Sequence, residues 1–464
     1  MKTLIGLNPF YNLNIINKEK TTASLCVGNF TEGEKILSFD KEWEGDHCVY
    51  HNFFVDDGVY KMYYLAHSSF TPFTELKVCY AYSYDGKNWV KPNLGLREYN
   101  GSKENNIVLD KTDKDEGDFF DNFFVFKDEN PACLKEQKYK ALAYTHPYKL
   151  MCYFSEDGIN FKRGYQFDID GKFDTLNVCF FDKTKNKYVA YIRDFHGVPE
   201  NGDLNLGVRD IRVTESEDFK KWSKPKLINF GENRPDFPLY TNNVMRHPKN
   251  DNLYIGFPSR YIERKEWTDN YEKLTGKEAR IKRMEDARRY GLALTDCLFM
   301  VSENGKDWCR FDKALITPGI ECEKNWVYGD CYPAYGLLED ENHYKILLRK
   351  NQWSDECAEI NQFNIRKDGF AYYNADYGEY VVELVPMILS GSNLNLNFST
   401  SAAGSVYMQI ESEDGEKITS CEMFGDSVKR EVSIDKKELE KFVGKKVIIK
   451  FKMTDAKIYS LTVE

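Results

Sequence analysis

Five stretches of the chain share one pattern: an apolar run, a short polar turn, and a second apolar run. They are His51–His67, Asp121–Tyr144, Asn177–Asp194, Asn242–Arg260 and Tyr332–Arg349. Alternating apolar positions on either side of turn-forming residues predict an antiparallel hairpin in each. Their starts are 70, 56, 65 and 90 residues apart, which leaves room for four strands and their loops in every unit.

A second pattern interleaves with the first. It reads Ser-x-Asp-Gly-x-x-Trp and occurs as Ser83, Asp85, Gly86, Trp89, then as Ser155, Asp157, Gly158, Phe161. Ser216, Asp218, Phe219, Trp222 repeat it without the glycine, and Ser302, Asn304, Gly305, Trp308 repeat it with Asn for Asp. Asp-Gly between apolar runs predicts a type I′ hairpin turn on which the Trp packs back. Five inner hairpins alternating with four outer ones predict an all-β fold, a five-bladed β-propeller over residues 1–355. The Ser24–Phe39 segment would supply the last outer strands and close the ring, which removes long exposed edges.

Two regions depart from this texture. Arg264–Arg289 carries Arg, Lys and Glu at helical spacing, and predicts a helical insertion that is either a solvated surface helix or a lid over the pocket. Tyr380–Val385, Leu394–Phe398, Val406–Ile410 and Val447–Met453 are short alternating runs separated by Gly-containing turns. They predict a C-terminal β-sandwich over 369–464 with an accessory role, joined by a linker near Trp353–Asp368.

Composition narrows the chemistry. A net charge of −10 disfavours nucleic acid and anionic membranes as partners. No apolar run is long enough to span a bilayer, and Met1–Leu13 lacks the apolar core of a signal peptide. Twelve cysteines scattered without Cys-x-x-Cys spacing predict reduced thiols in a cytoplasmic protein and no zinc site. The 31 Tyr, 31 Phe and 7 Trp suit pleated sheets, and they also suit stacking on sugar rings. Motifs for serine hydrolases, P-loops, zincins and dinucleotide binding are absent from the sequence.

Propeller geometry singles out one rim. Residues just before each first strand and just after each second strand ring the same axial funnel. The first group is Glu44, Asp46, Asp118, Asp121, Asp174, Asp236, Tyr240, Glu323 and Asp330. The second is His67, Tyr144, His146, Arg193, Asp194, Arg260 and Arg349, to which the third strands add Asp210 and Asp296. Carboxylates crowded in a funnel repel one another, so at least one should hold its proton to higher pH. Paired carboxylates in unlike surroundings are what glycoside hydrolysis needs. Arg193, Arg260 and Arg349 either pair with these acids or bind an anion such as a uronate or phosphate.

The stretches Tyr82–Asn106, Lys187–Arg193, Thr295–Trp308 and Asp368–Phe370, with Gly404, Cys421–Asp426 and Thr454–Ser460, resemble the five-bladed propeller glycoside hydrolases related to families 32 and 43, especially a bacterial family 32-like branch. The resemblance implies three acidic catalytic residues from the first three blades, here Glu44 or Asp46, Asp121 or Asp118, and Asp174. The signatures Asn-Asp-Pro-Asn, Arg-Asp-Pro and a blade-three Glu-Cys are missing; Glu321-Cys322 falls in blade five. The expected function is hydrolysis of a short oligosaccharide, with furanosides among the candidates. Arg193, Asp194, Tyr240, Arg260, Glu323, Asp330 and Arg349 are expected to bind the substrate. No organic cofactor is expected; the abundant oxygen ligands leave room for a structural Ca2+. An inverting glycoside phosphorylase and a non-catalytic sugar-binding propeller stay open as alternatives, as do the sugar, the stereochemistry and the oligomeric state.

Overall fold

A computed structural model describes residues 2–67, 75–113, 121–200, 202–352 and 357–464, with Asp286 described by its backbone alone. Five antiparallel sheets follow one another along the chain as the blades of a propeller. Blade one begins with Val49–Asp56 and Val59–Ala66, blade two with Asp121–Lys127 and Tyr139–Thr145, and blade three with Val178–Asp182 and Lys187–His196. Blade four begins with Met245–His247 and Asn250–Gly256, and blade five with Leu338–Glu339 and His343–Lys350. Each predicted hairpin is therefore the inner half of a blade. The ring closes through Thr31–Ser38, which pairs with Glu359–Arg366 as the outer strand of blade five. At the axis, Tyr335 N–H donates to the His51 carbonyl and Phe53 N–H to the Tyr335 carbonyl, both at 2.8 Å.

Sheet membership moves the expected boundary between the two regions. Glu359–Arg366, read from sequence as linker, is the third strand of blade five. Buried Asn361 and Gln362 interrupt its apolar alternation, which is why the pattern concealed it. Ser24–Val27, expected in the ring, pairs instead with Ala371–Ala375 in the sandwich. Thr3–Leu4 and Gly6–Pro9 join that sandwich too. Its framework is two long bent strands, Leu394–Ser412 and Lys446–Val463, around a core of Leu396, Phe398, Met408, Ile449 and Phe451.

The outer turns are not type I′. That turn needs positive φ at both central residues, but here Gly86, Gly158 and Gly305 alone adopt it, at 73°, 82° and 75°. The preceding Asp acts as an acceptor instead: Asp85 Oδ1 takes the N–H groups of Lys87 (2.8 Å) and Asn88 (2.7 Å), while Ser83 Oγ takes that of Gly86 (3.0 Å). In the copy lacking glycine, Phe219 is held at φ 65° by ring contacts with Phe167, Tyr188 and Trp222. Neighbouring blades clamp these turns: Tyr63 Oη donates to the Gly158 carbonyl (2.8 Å) and Tyr191 Oη to that of Gly305 (2.9 Å).

A recurring aspartate staples blades at the far rim. Asp56 ends the first strand of blade one and accepts from Lys127 and Tyr139 of blade two. Asp128 does the same for Lys140 (2.6 Å) and for Tyr188 (2.7 Å) of blade three. Asp182 accepts from Tyr254 of blade four and lies 3.4 Å from Arg246. Burial pushes Asp56 and Asp182 up, yet these hydrogen bonds and charges outweigh it and hold both carboxyls below the usual range.

Candidate functional site

The funnel rim is built by strand starts, and asparagines shape it. Asn52 donates to the carbonyls of Tyr50 (3.2 Å), Tyr63 (3.3 Å) and Phe123 (2.9 Å) and accepts from Val125 N–H (2.9 Å), joining blades one and two. Asn177 fixes the entry to blade three through the Phe173 and Thr175 carbonyls, and Asn243 reaches the Pro333 carbonyl of blade five (2.7 Å). The chain turns sharply at these entries, with Tyr50, Asn122, Phe173, Asn243 and Cys331 all at positive φ. The register slips at Val49/Asn52 and at Asp121/Phe124. Such bulges re-aim side chains at the rims of sheets.

These turns bring Asp121, Asp174, Tyr50 and Tyr240 within electrostatic reach of one another. Asp121 is 6% exposed, and no cation pairs with it among the described residues. Its Oδ1 accepts the Asn122 N–H at 2.8 Å. With the Asn122 amide oriented to suit both neighbours, its nitrogen donates to Asp121 (3.2 Å) and its oxygen accepts from Thr175 N–H (3.0 Å). Burial pushes the Asp121 carboxyl up and the charge of Asp174 adds to it, to about 7. The Asp174 side chain is half exposed and lies 3.6 Å from Nη1 of buried Arg193. Arg193 also donates to the Asp174 carbonyl and stacks on Tyr240, 4.8 Å from the ring centre. One carboxyl thus holds a proton near neutrality while its neighbour faces a guanidinium and solvent, the unlike pair that acid and base roles require.

The other sequence candidates separate. Tyr240 stays beside Arg193, stacked on Tyr332 (5.3 Å) and accepting from Tyr328 Oη (3.0 Å). Asp330 is buried, accepts Trp326 N–H (2.8 Å), and is pushed by burial to about 6. Asp46 is half-buried at the blade-one entry, within electrostatic reach of Arg283 on the helical insertion. Glu44, expected as a catalytic candidate, has no exposed surface: its carboxylate accepts from Tyr64 Oη (2.6 Å), Lys41 N–H (2.9 Å) and Lys91 Nζ (2.7 Å). That geometry makes Glu44 an internal anchor of blade one. Arg349 is likewise internal, donating to the carbonyls of Cys48 (3.1 Å) and Gly329 (3.0 Å) and to Gln352. Arg260 is committed to Asp296 and to the Asp312 carbonyl (3.1 Å). Asp194 points to the other face of its strand, where it meets Arg212 at 3.0 Å. Exposed Glu323 packs its backbone under Gly276 of the insertion. Asp118 lies outside the described residues.

The insertion itself is three short helices, Asp269–Lys273, Lys277–Asp286 and Arg288–Leu292, bridging Ser259–Glu263 and Ala293–Ser302 of blade four. It is more than a solvated helix. Buried Arg280 donates to the carbonyls of Trp326, Thr275 and Asn325, which anchors the insertion on the loop that carries Asp330.

Tyr50, Asn122, Tyr328, Tyr332 and Arg209 also line this region and were not singled out by sequence. The signal available was positional: a polar or aromatic residue immediately before or within each inner strand start. Among the described residues no group of three or more His, Cys, Asp or Glu side chains is placed to hold a metal ion.

No protein-family model matches the chain, and no curated protein matches it. Solved structures do. The N-acetylgalactosamine deacetylase of F. plautii, in complex with blood group B trisaccharide, is similar over 74% of this chain and 96% of its own, with 10% identity and a TM-score of 0.50. The family 32 β-fructofuranosidase of Bombyx mori matches over 93% and 94%, with 9% identity and a TM-score of 0.43. A family 43 arabinoxylan arabinofuranohydrolase of Bacillus subtilis, in complex with cellotetraose, matches over 92% and 97%, with 11% identity and a TM-score of 0.39. At these identities the likeness is one of fold. The chain is an all-β protein, a five-bladed propeller with a β-sandwich.

Proposed function

We propose that the protein is a glycoside hydrolase acting on a short oligosaccharide, with Asp121 as general acid and Asp174 as base or nucleophile. The observation that carries this reading is the pair itself: a buried carboxyl pushed to about 7 beside a half-exposed carboxylate, both at the funnel. Asp121 would protonate the leaving oxygen, and Asp174 would activate water or attack the anomeric carbon. Arg193 fixes Asp174, and half-buried Tyr50 is the ring within electrostatic reach of both acids. The solved structures of like fold include proteins described with sugar ligands, which supports a carbohydrate substrate.

The test is turnover on a panel of aryl furanosides, aryl pyranosides and N-acetylated sugars, comparing wild type with Asp121→Asn and Asp174→Asn. Cleavage lost in both folded variants supports the reading. A preparation that binds sugars equally well in all three forms and turns over none of the panel overturns it.

A further inference from the structure

Next to the Asp174–Arg193 pair, the Tyr240 ring is surrounded by donors that keep buried atoms without a described partner. Arg209, opposite Phe195 in blade three, is 9% exposed. Its guanidinium is stacked over Tyr261 (4.3 Å), Phe195 (5.5 Å) and Tyr240 (6.0 Å). Its Nε is buried without a partner, and no described carboxylate pairs with it. The Tyr332 hydroxyl, 8% exposed, is likewise unpartnered, as is Nε of Arg193. All three surround one ring: Tyr240 lies 4.8 Å from the Arg193 guanidinium, 6.0 Å from that of Arg209 and 5.3 Å from the Tyr332 ring. Of the acids around this ring, Asp174 is held by Arg193 at 3.6 Å, and Glu263 accepts from the Tyr261 hydroxyl at 3.1 Å.

A desolvated guanidinium left without an acceptor costs stability, and buried donors are almost always satisfied. Buried Arg310 and Arg349 obey that rule: Arg310 has Asp312 and the Pro235 carbonyl, and Arg349 has the Cys48 and Gly329 carbonyls and Gln352. A wall of two guanidiniums and a hydroxyl, all donors with spare valence, is complementary to a group with acceptors alone.

We propose that Arg209, Arg193 and Tyr332 form a subsite for an oxyanion, either the carboxylate of an acidic sugar or a free phosphate. In the first case the substrate is a uronide, and in the second phosphate is a co-substrate. The inference rests on the funnel being a carbohydrate site. Arg209 stacks on aromatic rings, so its planar fork is already oriented for two parallel hydrogen bonds to one oxyanion.

Isothermal titration of the full chain tests this with methyl uronides, their neutral parent glycosides and inorganic phosphate at constant ionic strength. The expected result is a uronide or phosphate bound at least about tenfold more tightly than the neutral parent. Arg209→Met should erase that preference, and Tyr332→Phe should weaken it about threefold. If Arg209→Met does not fold, Tyr332→Phe and competition between phosphate and uronide carry the test. Preference for phosphate assigns the oxyanion to the free ion, and preference for the uronide assigns it to the substrate. Equal affinity for acidic and neutral ligands with no phosphate binding, or an Arg209→Met protein of unchanged affinity, overturns the subsite. Oxyanion binding without turnover of any glycoside would remove the hydrolase reading alone. Turnover of neutral glycosides with no oxyanion preference would remove the subsite alone.

Discussion

Buried aspartates sit at both ends of the inner strands, and their fates are opposite. At the far rim, Asp56, Asp128 and Asp182 each meet a tyrosine hydroxyl from the next blade and a cation, which for Asp128 is Lys140 of its own blade. At the funnel rim, Asp121 starts the same kind of strand and is buried as deeply, yet its neighbour is another carboxylate. Burial pushes the carboxyls of Asp56, Asp182 and Asp121 up alike. The partner decides whether that cost is offset and the group becomes a staple, or left standing and the group becomes a proton donor.

Breaking the funnel pair should have the largest effect. Asp121→Asn or Asp174→Asn should lower turnover by about 10²- to 10⁴-fold in proteins that remain folded by circular dichroism. A smaller loss in either variant would reassign the acid or base role. Removing a staple should do the reverse. Asp182→Ala should cost roughly 3–5 kcal/mol in urea unfolding, because it leaves buried donors without an acceptor, while the folded fraction keeps its turnover.

The pH dependence separates the two rims further. The Asp121 carboxyl is raised from its ordinary value of 3.8 to about 7, so the folded state holds a proton that the unfolded chain has released. Stability from this group is therefore greatest below pH 4 and falls as pH rises toward 7. Asp121→Asn should match wild type near pH 4 and exceed it above pH 7, by on the order of 2–4 kcal/mol at 1.36 kcal/mol per pH unit. Turnover should fall along an alkaline limb near pH 7 as the acid loses its proton. Asp56 and Asp182, held low, contribute the opposite sign: their stability is lost on acidification below about pH 4. The smallest effect concerns Glu44. Glu44→Gln should cost about 1–2 kcal/mol through its lost pair with Lys91 and leave turnover unchanged. A loss of turnover there, with stability intact, would return Glu44 to the catalytic set.

Much of this architecture is written in local pattern. The five hairpins, the four Ser-x-Asp-Gly units and the helical insertion follow from alternation and turn chemistry, because each is a contact between residues close in the chain. Asp121 and Asp174 were legible as candidates for the same reason: strand direction puts every strand start on one rim. Asp194 and Arg193 show the limit. They are adjacent in sequence and were grouped together, but a strand sends them to opposite faces, one toward Tyr240 and the other to Arg212.

What pattern could not convey is satisfaction. Glu44 and Asp121 are both acids at blade entries, and nothing in their neighbouring residues says that Lys91 and Tyr64 will close around one while no cation among the described residues pairs with the other. The same holds for Glu359–Arg366, whose polar residues look like linker until Thr31–Ser38 arrives from the other end of the chain to complete the blade. Arg209 belongs with them, since its Nε, without a described partner, is set by the Tyr240 and Tyr261 rings and by no segment alone. Strand identity depends on a few neighbouring side chains. The protonation and pairing of a buried charge depend on everything within several ångströms, and in a propeller those neighbours come from different blades.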